Sequence, residues 1–207
     1  MEKIAVTGYN GFIGKHLVQA LLKAGHIVYP IDRNFKSVKC DKIYHLACPS
    51  TTEKINEDPC GVIDTIVDVT RRALDICPTA KFINASSIGA GQIDLDNNPQ
   101  NAYNIAKRCM EVYLQFSRRD YVNYRLPAVY GPGMHDDFFI KRCVDGRAHK
   151  PTYSATLYSI AHIDDVVDAL INLTPLKQEE ITLGEIYEQF NSGRRGLYRS
   201  TSNQRSV

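Results

Sequence analysis

The stretch Lys3-Ile-Ala-Val-Thr-Gly8-Tyr-Asn-Gly11-Phe-Ile-Gly14-Lys-His-Leu-Val-Gln-Ala-Leu-Leu-Lys-Ala-Gly25-His-Ile-Val-Tyr-Pro-Ile-Asp32 decides the fold. Its apolar run Ile4 to Val6 reads as a buried strand. Phe12, Ile13, Leu17, Leu21 and Leu22 then recur at helical spacing until Gly25, a stop signal. A second apolar run ends in Asp32. This is a βαβ unit with glycines where the first strand turns into the helix. Such glycines permit a tight turn and let backbone approach a pyrophosphate, which the helix N-terminus attracts. The spacing is Gly-x-x-Gly-x-x-Gly, and Asp32 stands close to the distance of about 20 residues expected of a ribose-binding acid. Strand, turn, helix, strand and terminal acid together favour dinucleotide binding over a turn that merely needs glycine.

Further along, Lys42-Ile-Tyr-His-Leu-Ala-Cys48 reads as a strand ending in small residues, as needed where backbone passes close to a cofactor. Lys81-Phe-Ile-Asn-Ala-Ser-Ser87 reads as another, ending in two hydroxyls. Ligands gather at the carboxyl ends of parallel strands, which aims Ser86 and Ser87 at the same crevice as the glycines. Tyr103 and Lys107 follow in Asn101-Ala-Tyr-Asn-Ile-Ala-Lys107. Residues four apart share a helix face, and a neighbouring cation lowers a Tyr pKa from about 10 towards the range of a general acid or base. Strands are expected near 3–7, 27–32, 42–47, 81–86 and 121–126, with helices near 12–24, 59–76 and 100–118. That alternation predicts an α/β fold: a Rossmann-type, doubly wound parallel sheet covered on both faces.

These motifs together resemble the extended short-chain dehydrogenases/reductases, the NAD-dependent nucleotide-sugar epimerases, dehydratases and decarboxylases. The resemblance runs from Met1 to about Leu173. It rests on Thr7-Gly-x-x-Gly-x-x-Gly14, His45-Leu-Ala47, Ser87 with Tyr103-x-x-x-Lys107, Arg125-Leu-Pro-Ala-Val-Tyr-Gly-Pro132 and His162-Ile-Asp-Asp165. Lys42-Ile-Tyr-His-Leu-Ala-Cys-Pro49 looks most like the UDP-glucuronate decarboxylase branch. The resemblance implies that Tyr103 transfers the proton, Lys107 binds the nicotinamide ribose and lowers the Tyr103 pKa, and Ser87 hydrogen-bonds the reacting oxygen. It also implies a cofactor site made of Gly8, Asn10, Gly11, Phe12, Ile13, Gly14, Asp32, Arg33, Leu46, Ala47, Tyr103, Lys107, Pro127 and Val129. NAD is expected in preference to NADP, because the Asp32 carboxylate accepts from ribose hydroxyls and repels a 2′-phosphate. Arg33 opposes this, since a guanidinium there suits that phosphate. Helices 59–76 and 100–118 correspond to the pair through which family members dimerise, so a homodimer is implied.

The departures bear on the reaction. Sugar 4,6-dehydratases place Asp-Glu directly after the family's hydroxyl, and the decarboxylases place Glu there; this chain has Ile88 and Gly89. The nearest other carboxylates in sequence are Asp94 and Asp96. Three family substrate anchors, two Asn and one Arg, appear as Ala128, Phe138 and Tyr158. Two readings follow. One is an enzyme that uses NAD to oxidise and re-reduce a carbon of a nucleotide-linked or related sugar, as an epimerase or reductase. The other is a non-catalytic NAD-binding module with a degenerate substrate lobe. Ser87, Tyr103 and Lys107 favour the enzyme, since a pure binder does not need the phenol.

At 207 residues the chain is one domain with mass enough for a core, whereas extended members are longer. Only Arg33 to Asp41 separates the second strand from the third, leaving no room for the usual helix and strand between them. A single NAD-binding domain is expected over 1–190, with a reduced C-terminal substrate lobe from about 127–190 that includes a helix at Thr182 to Phe190. The tail 191–207, rich in Ser, Gly, Arg and Asn, reads as disordered, its Arg194, Arg195, Arg199 and Arg205 solvated rather than bound to nucleic acid. A net charge of +2 argues for neither a nucleic-acid nor a membrane surface. No apolar run reaches the ~18 residues of a membrane span, and no signal peptide precedes the first strand, so a cytoplasmic protein is expected. The six cysteines lack metal-ligand spacing and read as buried, reduced thiols. His45 and His162 are expected to pack or hydrogen-bond rather than bind metal. Asp64, Asp68, Arg71, Arg72, Arg108 and Glu111 read as solvated helix faces.

Overall fold

The structure, a computed structural model, describes residues 1–49, 52–92, 98–152 and 156–191. Asp94, Asp96 and the tail from 192 lie outside them. The chain forms two compact units, Met1–Leu126 and a second beginning at Pro127.

The first unit runs β1 (Lys3–Thr7), α1 (Phe12–Lys23), β2 (Ile27–Ile31), β3 (Lys42–His45), α2 (Thr52–Glu57), α3 (Pro59–Leu74), β4 (Lys81–Ser87), α4 (Pro99–Phe116) and β5 (Tyr121–Leu126). Its five strands pair in the order β2-β1-β3-β4-β5, and every pairing is parallel. Each element expected here is present with ends within two residues of the sequence reading, and α2 is an addition. Helix α1 stops where Gly25 adopts φ +81°. Gly25 N–H then bonds the Leu22 carbonyl and His26 N–H the Leu21 carbonyl, a glycine-closed C-terminus that satisfies the last turn.

Between β2 and β3 the chain has no regular element. It must nevertheless pass β1, which lies between them. Phe35 and Val38 of this crossover pack on a core of Ala5, Ile31, Ile43, Ala73, Leu74, Ile76 and Phe82, in which Cys40 and Cys77 are also buried. Val38 N–H bonds the Ile76 carbonyl and Asp41 N–H the Lys3 carbonyl. Arg72 covers the Phe35 ring at 4.7 Å and donates to the Arg33 carbonyl at 2.7 Å. A few side chains thus do the covering that a helix does elsewhere in the sheet. Strand β2 is left at an edge, where Pro30, lacking a backbone donor, is tolerated.

The second unit contains β6 (Ala128–Tyr130), α5 (Phe139–Val144), β7 (Leu157–His162), α6 (Ile163–Asn172), β8 (Glu179–Thr182) and α7 (Leu183–Asn191). Strand β7 is central, parallel to β6 and antiparallel to β8. The Tyr130 ring meets His162 and Phe190 edge-on, each at 5.2 Å. His162 is 1% exposed and caps α6 by accepting from Asp164 N–H at 3.2 Å.

Candidate functional site

At the carboxyl end of β1 the backbone is packed to its steric limit. Gly8 has φ +70°, and a Cβ there would lie 2.6 Å from Ala47 N and 2.7 Å from the Leu46 carbonyl carbon. A Cβ on Gly14 would lie 2.1 Å from the Gly8 oxygen. Gly11 N–H closes the turn on the Gly8 oxygen at 3.0 Å. Gly11 then starts α1 with no side-chain cap among the described residues, and no acid stands in the first turn. An uncapped helix N-terminus over a Cβ-free cradle fits a dinucleotide pyrophosphate. Asn10 is exposed in the turn, while Phe12 and Ile13 are half-buried. In the pairing register Thr7 is level with both Ile31 and His45, which brings Asp32, Gly8 and Leu46 to one height. Asp32 and Arg33 are exposed there, and Asp32 Oδ1 accepts from Arg33 N–H at 2.7 Å.

A buried hydrogen-bond chain supports this edge. Thr70 donates to the Ile66 carbonyl at 2.8 Å, so its oxygen accepts from His45 Nε2 at 3.0 Å. His45 is therefore the Nε2–H tautomer, and its Nδ1 accepts from Thr7 at 2.8 Å. The Thr7 oxygen in turn accepts from Ala47 N–H at 3.2 Å. Burial, with Lys107 adding to it, pushes the His45 pKa down to about 3, so the ring stays neutral. The imidazole packs and hydrogen-bonds, and through Thr7 it positions the strand end against Gly8.

Tyr103 and Lys107 do share a face of α4. Lys107 Nζ lies 5.7 Å from the Tyr103 ring centroid and donates to the Ala85 carbonyl at 2.7 Å. The Tyr103 ring rests on a cluster of Ile55, Val62, Ile66, Ala106 and Met110, beside Cys48. One expectation is corrected here. Burial raises the Tyr103 pKa, and although Lys107 opposes it, Cys48 adds to the rise, so the phenol is held above its ordinary value. Lys107 stays charged: burial works against its ammonium, but Cys48, Tyr103 and Glu111 outweigh that.

Ser87 ends β4 two residues beyond Ala85, and its Oγ accepts from Gly89 N–H at 3.2 Å as a tight turn begins. Beside it, a Cβ on Gly89 would lie 2.2 Å from Asn104 Oδ1. The space where a side chain at 89 would start is thus filled by the neighbour of Tyr103. Ser86 does not face the glycines as expected, because strand neighbours point to opposite faces. Its hydroxyl donates to Glu111 Oε1 at 2.6 Å. Glu111, expected on a solvated face, is 5% exposed. It accepts from Arg125 Nε and Nη2 at 2.9 and 2.7 Å and from Arg108 at 3.0 Å. Burial pushes its carboxyl up, but these hydrogen bonds outweigh it and hold the pKa down to about 2. The network fastens α4 to β4 and β5 one turn beyond Lys107.

The thiols are also not uniformly buried: all six are free, with Cys60 and Cys109 exposed and Cys48 half-buried. Cys48 and Asn104 adjoin Tyr103 without having been singled out by the sequence reading. Each immediately follows a motif residue, a signal visible only once the strand and helix are juxtaposed. Pro127 is buried and Val129 half-buried, both in the second unit. Ala128, Phe138 and Tyr158 are exposed there.

The family model described as the NAD dependent epimerase/dehydratase family matches residues 4–188. CDP-abequose synthase of Salmonella typhimurium is 27% identical over 220 residues, covering 86% of this chain and 72% of that protein. The UDP-2-acetamido-2,6-beta-L-arabino-hexul-4-ose reductase of Pseudomonas aeruginosa is 27% identical, covering 94% of this chain. The chain spans 59% of that reductase, less than two thirds of its length. The solved UDP-glucose 4-epimerase of Thermus thermophilus in complex with NAD superposes with a TM-score of 0.74, covering 92% of this chain and 82% of that one. At 18% identity this likeness establishes a shared fold.

Proposed function

The chain belongs to the NAD dependent epimerase/dehydratase family, and from that premise we propose that it interconverts a carbinol and a ketone on a nucleotide-linked or related sugar. The observation that carries this reading is Lys107, set beside Tyr103 and fastened to the strand that ends at Ser87. Gly8, Gly11 and Gly14 would hold the pyrophosphate of NAD and Asp32 its ribose, with Asn10, Phe12, Ile13, Leu46 and Ala47 completing this part of the site. The bound cofactor supplies a hydride acceptor and donor. Tyr103 passes the proton to or from the sugar oxygen, Ser87 holds that oxygen, and Lys107 keeps positive charge beside the phenol. In the reducing direction the Tyr103 phenol gives its proton to the ketone oxygen, in keeping with a relative that is named a reductase.

Elimination and decarboxylation lie outside this reading. Neither Ile88 nor Gly89 offers an acid or a base. The purified protein is expected to form neither a 4-keto-6-deoxy sugar nor a decarboxylated product. A homodimer through α3 and α4 belongs to the same proposal. Val112, Tyr113 and Phe116, exposed at 38, 47 and 76%, form an apolar stripe on α4 that supports it.

Tyr103→Phe tests the reading. Incubated with keto and hydroxy nucleotide sugars and NAD or NADH, the wild type should change nicotinamide absorbance. The variant should lose at least 10²-fold in rate while still binding NAD. NAD binding by both proteins with no turnover across the panel would instead identify a non-catalytic module.

A further inference from the structure

Cys40 and Cys77 meet at the end of the sheet opposite the glycine turn, where β3 begins and the chain leaves α3 for β4. The two residues are 6% and 7% exposed. Cys77 Sγ donates to the Cys40 carbonyl at 3.4 Å across a separation of 37 residues. Among the described residues, Thr79 Oγ1 lies 3.7 Å from Cys77 Sγ, and the Arg119 guanidinium donates to the Cys77 carbonyl at 2.8 Å. Cys40 also lines a surface hollow with Lys3, Lys39, Asp41 and Thr79, through which a small polar oxidant can arrive.

We propose that Cys40 and Cys77 are a redox-active dithiol that closes to an intramolecular disulfide under oxidation by a peroxide or a low-molecular-weight disulfide. The inference is independent of the reaction proposed above. The pair divides the labour of such a step. Burial pushes the Cys77 thiol up, but hydrogen bonding to Cys40 and Thr79 outweighs it and brings the group below its ordinary value. Cys77, whose Sγ lies 3.7 Å from Thr79 Oγ1 at the wall of that hollow, is the attacking sulfur, and it attacks as the thiolate. Burial and the neighbouring Cys77 push Cys40 up to about 12, which suits a sulfur that waits to resolve the intermediate.

With peroxide, the Cys77 thiolate attacks one oxygen, the O–O bond breaks, hydroxide leaves, and Cys77 becomes a sulfenic acid. The Cys40 sulfur then attacks that sulfur, the S–S bond forms, and the hydroxyl departs as water with the Cys40 proton. Two thiols are oxidised by two electrons, and one peroxide is reduced to two waters. Cys40 belongs to the crossover that follows Asp32 and Arg33, so the bond would tie this segment to the end of α3. In a reducing compartment such a pair remains open until the poise shifts, the usual behaviour of an intracellular regulatory disulfide.

The test uses the full chain carrying Cys60→Ser and Cys109→Ser, which removes the two exposed thiols. The reduced protein is titrated in its folded state with glutathione disulfide and, separately, with hydrogen peroxide. Peptides are then mapped without reduction. The expected product is two hydrogens lighter, contains a Cys40–Cys77 linked peptide, reverts with dithiothreitol, and melts roughly 5 °C or more higher. Adding Cys40→Ser should leave Cys77 trapped as a mixed disulfide with glutathione. Adding Cys77→Ser should leave Cys40 unmodified. Modification of Cys48 or Cys143 in preference to the pair would overturn the proposal. So would a Cys40–Cys77 link that forms only after unfolding in urea.

Discussion

Lys107 donates to the main-chain oxygen of Ala85 at 2.7 Å, so the ammonium beside Tyr103 is held by the strand that ends at Ser87. Lys107→Met keeps much of the side-chain volume but removes both the charge and this tie. The variant should lose 10²-fold or more in turnover and bind NAD more weakly. Tyr103→Phe differs in sparing the cofactor. Equal NAD affinity for Lys107→Met and wild type would show that the ammonium does not serve the cofactor.

Two glycines of the first βαβ unit should respond oppositely to a methyl group. Gly14→Ala places a Cβ 2.1 Å from the Gly8 oxygen, so either α1 or the turn must move. NAD affinity should fall by at least tenfold. Gly25 has the more unusual backbone, φ +81°, yet among the described residues nothing lies within 4 Å of its added carbon. Gly25→Ala should cost only the left-handed penalty of about 1–2 kcal/mol. That amounts to roughly 2–8 °C in Tm, with NAD binding retained. Calorimetry and cofactor titration on the two proteins decide it.

Acid should destabilise the protein in two stages. Unfolded chains take up a proton at His45 near its ordinary pKa of 6.5, whereas the folded chain resists until about 3. Stability is therefore complete above 6.5 and falls as pH drops, at about 1.4 kcal/mol per pH unit for this group. Glu111 joins below its ordinary 4.5, because its folded carboxyl stays ionised down to about 2. Urea midpoints measured along pH should decline from near 6.5 and steepen below 4.5. Glu111→Gln should make the steeper limb shallower while leaving the upper one. A flat profile between 6.5 and 4.5 would show that His45 ionises in the folded protein.

Asp32 is exposed at the end of β2, with Arg33 beside it. Asp32→Ser should leave Tm almost unchanged and shift preference towards NADP. Wild-type protein should bind NAD at least tenfold more tightly than NADP, since a carboxylate and a 2′-phosphate repel. Tighter NADP binding by the wild type would mean that Arg33 sets the preference.

The first unit was legible because its signals are short-range and repeated. Apolar runs, a glycine turn and 3.6-residue periodicity set each element from Lys3 to Leu126 almost independently of the rest. The second unit was not. Strand β6 is three residues long, and β7 exposes Leu157 and Tyr158 in succession, so neither shows a two-residue alternation. Only the periodic helix at its end could be read. At the site, residue types were legible and side-chain directions were not. Ser86 and Ser87 look equivalent in sequence, but the pleat sends one to Glu111 and leaves the other to cap the next turn. The state of Tyr103 was also out of reach, since it depends on apolar contacts from Ile55 and Val62, far away in the chain.

The chain of donors from Ala47 through Thr7 and His45 to Thr70 has a single direction, so the Nε2 hydrogen of His45 has one place to be. It sits between β3 and α3, where solvent reaches it only if the helix lifts from the sheet. Its replacement by deuterium thus times that opening, and a ring signal persisting as long as the slowest amides would mark α3 and the sheet as one cooperative unit. The same hydrogen would count how often the floor beneath the glycine turn gives way.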